Sequence, residues 1–171
     1  VLRFSAHDAS HDREVIGMTN QAKDQVLAQL LKHGPVLLSV ELQPMLLLRQ
    51  GTSRRRFQTY IPPEDFHSLL AVAELVVSDG GSVPAEAAVL GVPSFVLGSF
   101  ARKRFYLTFL EERGLVHSFA PGDELRLLEQ LDATLLAWPE QLWAAQAAAS
   151  FLNEESEDLA EWFRLLVVGI R

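Results

Sequence analysis

The stretch Leu75-Val76-Val77-Ser78-Asp79-Gly80-Gly81-Ser82-Val83-Pro84-Ala85-Glu86-Ala87-Ala88-Val89-Leu90-Gly91-Val92-Pro93 carries the fold in miniature. Residues 75–78 form a short apolar run of the kind needed by a strand covered on both faces. Asp79-Gly80-Gly81-Ser82 is then a turn of small residues. Pro84 suits the first turn of a helix, where a backbone N–H has no helical partner in any case. The helix expected over about 83–90 stops at Gly91 and Pro93, and residues 94–97 are apolar again. The stretch therefore reads as strand, glycine turn, helix, strand.

The same alternation extends in both directions. Upstream, residues 1–5 read as a strand and 6–17 as a polar loop. Thr19 or Asn20 caps a helix whose Val26, Leu27, Leu30 and Leu31 recur at helical spacing until Gly34-Pro35, and residues 35–40 form a buried strand. Residues 57–61 are expected as a short strand. Pro63 opens a helix in which Phe66, Leu69, Leu70 and Ala73 share a face. Downstream, helices are expected over 102–113 and 123–131, with a strand at 116–119 between them. Residues 139–170 read as helical, with a break near Asn153, and the tryptophans Trp138, Trp143 and Trp162 there read as core or inter-domain packing. This alternation predicts an α/β fold: a doubly wound, mostly parallel Rossmann-like sheet with helices on both faces. We expect one domain over 1–171, with 139–171 as a C-terminal helical extension.

Composition removes several function classes. The 171 residues include no cysteine, which excludes disulfides, thiolate metal sites and cysteine nucleophiles and fits a reducing, cytoplasmic compartment. The net charge is −7, and the basic residues are scattered apart from Arg54-Arg55-Arg56, so no nucleic-acid footprint is present. That basic run reads as a solvated loop. The apolar runs fall well short of the roughly 20 residues of a spanning helix. The opening Val1-Leu2-Arg3-Phe4 has no signal-peptide pattern and suggests a fragment or processed product.

In a doubly wound sheet, ligands sit outside the carboxyl ends of the strands, so the loops that leave those ends are the candidate sites. The turn at Asp79, Gly80, Gly81 and Ser82 offers close backbone approach and a helix N-terminus with unpaired N–H groups, both suited to phosphate. Spacing alone leaves two readings open, a phosphate cradle or a tight structural turn. Glu86 likewise reads either as a ligand contact or as a first-turn carboxylate favouring the helix dipole by about 0.3–1 kcal/mol. The second loop, Ala6-His7-Asp8-Ala9-Ser10-His11-Asp12, places His7, Asp8, His11 and Asp12 at four-residue spacing. These are candidates for acid/base work, against a solvated loop held by side-chain turn bonds. No second cluster completes a metal site, so no metal or cofactor is expected. Arg3, Glu41 and His67 are further candidates for the cleft.

The segment from Ser78 to Pro93 resembles the C-terminal-domain signature of GT-B glycosyltransferases and of the UDP-N-acetylglucosamine 2-epimerase superfamily. There, a small-residue turn precedes a helix carrying Glu, followed by a Gly-x-Pro exit. Arg3, the segment from Ala6 to Asp12, Glu41, and Pro62-Pro63-Glu64-Asp65-Phe66-His67-Ser68-Leu69-Leu70 are similar to a glycosyltransferase-like family of unknown function within that superfamily. The resemblance covers residues 1–131. It implies diphosphate contacts at Gly80, Gly81 and Ser82 and a ribose contact at Glu86. By the same resemblance, the ligand is a nucleotide diphosphate sugar, most simply a UDP-sugar. His7 falls where the 2-epimerases carry a functional histidine, although the residues after it depart from their motif.

The implied protein is the donor-binding half of a glycosyltransferase, inactive without an N-terminal acceptor domain. A 2-epimerase-like isomerase and a non-catalytic scaffold are the alternatives. If residues 139–170 normally pack on a first domain, the isolated chain exposes an apolar helix face and forms a homo-oligomer.

Overall fold

The computed structural model describes residues 1–5, 15–40, 57–58 and 62–156. Its strands are β1 (Leu2–Phe4), β2 (Val36–Val40), β3 (Phe57–Gln58), β4 (Val76–Ser78), β5 (Ser94–Leu97) and β6 (Val116–Phe119). They form one sheet in the order β3-β2-β1-β4-β5-β6, and every pairing is parallel. Parallel neighbours require crossovers, and α1 (Asn20–His33), α2 (Phe66–Ala71), α3 (Ser82–Val89) and α4 (Phe105–Glu112) lie in them, while α5 (Glu124–Leu136) and α6 (Glu140–Glu155) follow β6.

Strand alternation divides the core between the two faces of the sheet. Leu2, Phe4, Leu38, Val77, Phe95, Leu97 and Phe119 point to one face, where they pack with Val26 and Leu30 of α1 and Leu127 and Leu131 of α5. On the other face, Val96 and Val116 meet Ala88 of α3, Leu107 and Leu110 of α4, and Ala149 and Leu152 of α6. Val76, also on that face, packs with Leu70 of α2 and Ala87 of α3. Both faces are therefore covered, which is why the strands are mostly apolar on both sides. The expected doubly wound, Rossmann-like α/β fold is the one observed.

Local chemistry sets the element ends. The Thr19 hydroxyl caps α1 by accepting a bond from the Ala22 N–H at 3.1 Å. Pro63 begins a 3-10 turn (Pro63–Asp65) that leads into α2. Gly91, at φ +79°, ends α3; a Cβ there would also lie 3.0 Å from the Cα of Gln146.

Three boundaries differ from expectation. Helix α4 begins at Phe105 rather than 102, because residues 98–104 are taken up by turns such as Ala101 N–H to Gly98 C=O at 3.0 Å and Lys103 N–H to Phe100 C=O at 2.8 Å. Helix α5 runs on to Leu136, since Leu131 and Thr134 are both buried and keep the helix on the sheet. Helix α6 passes through Asn153 unbroken, and the Asn153 side chain donates to the Val89 carbonyl at 3.3 Å. Trp143 is 60% exposed on α6 and so is not core, whereas Trp162 lies outside the described residues. Among the described residues, no helix is long and apolar enough to cross a membrane.

Candidate functional site

The sheet order reverses direction between β1 and β4: the chain steps from β1 out to β2 and β3, then returns to lay β4 on the other side of β1. Two loops leaving neighbouring strand ends on opposite faces open a crevice at such a point. The residues at those ends are Ser5 after β1 and Asp79-Gly80-Gly81 after β4.

Asp79 holds the two ends together. Its carboxylate is fully buried. Oδ1 accepts the Ser5 backbone N–H at 2.7 Å, and Oδ2 lies 2.9 Å from Lys23 Nζ on α1. Lys23 also stands over the Phe4 ring, 4.9 Å from its centroid. Asp79, expected as a ligand contact, turns its carboxylate inward to Ser5 and Lys23. A buried carboxylate needs such partners, because desolvating it without them costs several kcal/mol.

Gly80 and Gly81 are glycines for lack of space. Gly81 has φ −87° and ψ −31°, which any residue adopts, and the positive-φ glycines of the described chain are Gly91, Gly114 and Gly122. A Cβ at Gly80 would collide with Ser5 Oγ. One at Gly81 would collide with the Tyr106 hydroxyl and sit 3.1 Å from Phe100 Cε2. Phe100 also crowds Gly98, where a Cβ would be 2.5 Å from Cε1. The Phe100 ring thus lies across the exits of both β4 and β5. A further brace joins Ser99 to the segment entering α1: the Ser99 N–H donates to the Ile16 carbonyl at 2.8 Å, and the Ile16 N–H donates to Ser99 Oγ at 3.0 Å.

Helix α3 starts from this turn at Ser82, which is exposed, and no side chain caps it. Its first turn therefore presents backbone N–H groups and the positive end of the helix dipole beside the crevice. Glu86 is the fifth residue of α3, one turn beyond the dipole-favoured positions, so its expected role as a first-turn carboxylate does not apply. It is half-exposed and faces His67 in the first turn of α2, with His67 Nε2 3.1 Å from Glu86 Oε2.

The structure therefore brings Gly80, Gly81, Ser82, Glu86 and His67 to one end of the sheet. Arg3 sits in mid-strand between Ser39 and Ser78, donating to Ser39 Oγ on the face that carries α2 and α3. His7, Asp8, His11, Asp12, Glu41 and Arg54-Arg55-Arg56 lie outside the described residues. Among the described residues, no group of three or more His, Asp or Glu could hold a metal ion.

Four residues of this constellation, Ser5, Lys23, Phe100 and Tyr106, do not stand out in the sequence. Phe100 could have been found, since it follows β5 in a loop at the same end of the sheet. Lys23 could not, because a lysine on an amphipathic helix ordinarily reads as solvent-facing. A cavity of about 320 Å³ lies at the opposite end of the sheet, lined by Leu30, Val36, Leu69 and Val72. It collects neither helix N-termini nor strand carboxyl ends.

No family model matches the chain, and no curated protein sequence does. Among solved structures, the chain is similar to that of a UDP-N-acetylglucosamine 2-epimerase, with a TM-score of 0.58 at 20% identity. The match covers 99% of this chain and 43% of that one. The two share a fold, and this chain corresponds to one Rossmann-like half of the GT-B-type architecture.

Proposed function

We propose that the chain is the nucleotide-sugar-binding half of a glycosyltransferase-like protein. The observation that carries this reading is a sterically enforced glycine turn at the switch point of the sheet, running into an uncapped helix with Glu86 one turn on. Backbone N–H groups of Gly81, Ser82 and Val83 would receive the diphosphate, whose charge is favoured at a helix N-terminus. The Glu86 carboxylate would repel phosphate but accepts hydrogen bonds from vicinal ribose hydroxyls. Asp79 and Lys23 would fix the turn without touching the ligand. The acceptor would bind a separate N-terminal domain, and the half alone would bind weakly and turn over nothing.

The test is a titration with uridine diphosphate and its common sugars, followed by NMR, on the wild type, Glu86→Ala and Gly81→Leu. Saturable binding lost in both folded variants supports the reading. Binding untouched by either would mean the ligand sits elsewhere. No binding at millimolar ligand by the folded wild type favours a non-catalytic scaffold.

The fold shared with a 2-epimerase supports a second reading, an isomerase using the same diphosphate turn. There His7, Asp8, His11 and Asp12 would supply acid/base groups. Replacing them would abolish epimerisation and spare nucleotide binding.

A further inference from the structure

We propose that His67 is a positioning residue for Glu86, holding its carboxylate ready for the ribose of a nucleotide; this inference rests on the donor-binding reading above. The geometry begins with the topology. Helix α2 runs down the sheet before β4 and α3 runs down it after β4, so both helices start at the carboxyl end. His67 in the first turn of α2 and Glu86 in the second turn of α3 therefore meet just below the glycine turn. A carboxylate oxygen only accepts, so at 3.1 Å it is His67 Nε2 that donates to Oε2. Phe66, packed edge-on against the imidazole at 6.2 Å between centroids, limits where the ring can turn.

As a stabilising contact this pair offers little. His67 is 71% exposed and Glu86 41%, and exposed pairs of this kind contribute little to folding. Its effect is on conformation. A free glutamate has three rotatable bonds to immobilise before it can hold a ligand hydroxyl, and that ordering is charged against affinity. With Oε2 held by His67, Oε1 and the remaining lone pair of Oε2 are already placed for two neighbouring hydroxyls. The ligand feature read out by this arrangement is the vicinal diol of a ribonucleotide, in preference to a deoxyribonucleotide.

The experiment compares uridine diphosphate with 2′-deoxyuridine diphosphate, by NMR titration of the whole chain, in wild type, His67→Leu and His67→Gln. A hydrogen bond to a charged group predicts a wild-type preference for the ribonucleotide on the order of tenfold. His67→Leu removes the donor and should reduce that preference to about twofold, chiefly by weakening uridine diphosphate. His67→Gln keeps an N–H near the Nε2 position and should restore most of the preference. A preference unchanged in His67→Leu, or one that His67→Gln fails to restore, overturns the positioning role while leaving the donor-binding reading standing. Absence of saturable wild-type binding to either nucleotide refutes the donor-binding reading and this role with it. Because His67 is exposed, the variants should fold as the wild type does, which their amide spectra will show.

Discussion

Gly80→Ala isolates the close approach of β1 and β4 that forms the candidate site. The backbone conformation there suits alanine, so on dihedral grounds the substitution should stabilise the protein by about 0.4–1 kcal/mol through the unfolded chain. Space opposes it, because the new Cβ falls on Ser5 Oγ. The Ser5 backbone N–H is pinned to the buried Asp79 carboxylate at 2.7 Å, so relief must come from turning the hydroxyl about χ1. Displacing that hydroxyl costs about 0.5–1.5 kcal/mol, which offsets the dihedral gain and leaves Gly80→Ala close to neutral in the wild type.

In a Ser5→Ala background the colliding atom is gone, and the nearest remaining neighbours, Ser5 Cβ and Ser78 Oγ, are both 3.7 Å away, an ordinary contact. There Gly80→Ala should stabilise, giving a coupling energy of about 0.5–1.5 kcal/mol between the two sites. Urea denaturation of the four proteins measures it, with unchanged slopes showing that the comparison is of like states. For a chain of this size the single and double variants should differ in Tm by several degrees. Equal effects of Gly80→Ala in the two backgrounds would refute the claim that Gly80 is a glycine for want of space.

Two further outcomes follow from buried ionisable groups. Lys23→Met should cost about 2–4 kcal/mol by chemical denaturation, because it removes the cation 2.9 Å from a fully buried carboxylate, and adding Asp79→Asn should recover part of that loss. Burial holds the pKa of His117 below its usual value of 6.5, with Glu111 acting in the opposite direction. As pH falls through about 6.5, the unfolded chain takes up a proton that the folded protein resists, so His117 lowers stability on the acid side and has no such effect above that range. Denaturation at pH 5.5 and 7.5 should show a smaller acid loss in His117→Gln than in wild type.

Much of the fold was legible because its determinants are local. Residues 94–97 and 116–119 are strands at the expected positions, and Gly91 ends α3 through a φ that favours glycine. Where tertiary packing decided, the sequence reading drifted. The start of α4 moved to Phe105 because residues 98–104 are used in turning Phe100 across Gly81 and Gly98. The extension of α5 followed from burial of Thr134, which no periodicity of polar residues announces. At the site, small residues after a buried strand marked the glycine turn. The side chains that crowd it, Ser5, Tyr106 and Phe100, come from other segments and leave no mark beside it.

By itself, the sequence determined the α/β class, the succession of strands and helices, and the location of the glycine turn, because periodicity, capping and glycine or proline punctuation act over a few residues. Only the tertiary structure decided that Asp79 faces inward to Ser5 and Lys23, that Tyr106 and Phe100 close over Gly81, and that His67 meets Glu86. Those contacts join residues brought together by strand order, and strand order is a property of the whole sheet that no local segment encodes.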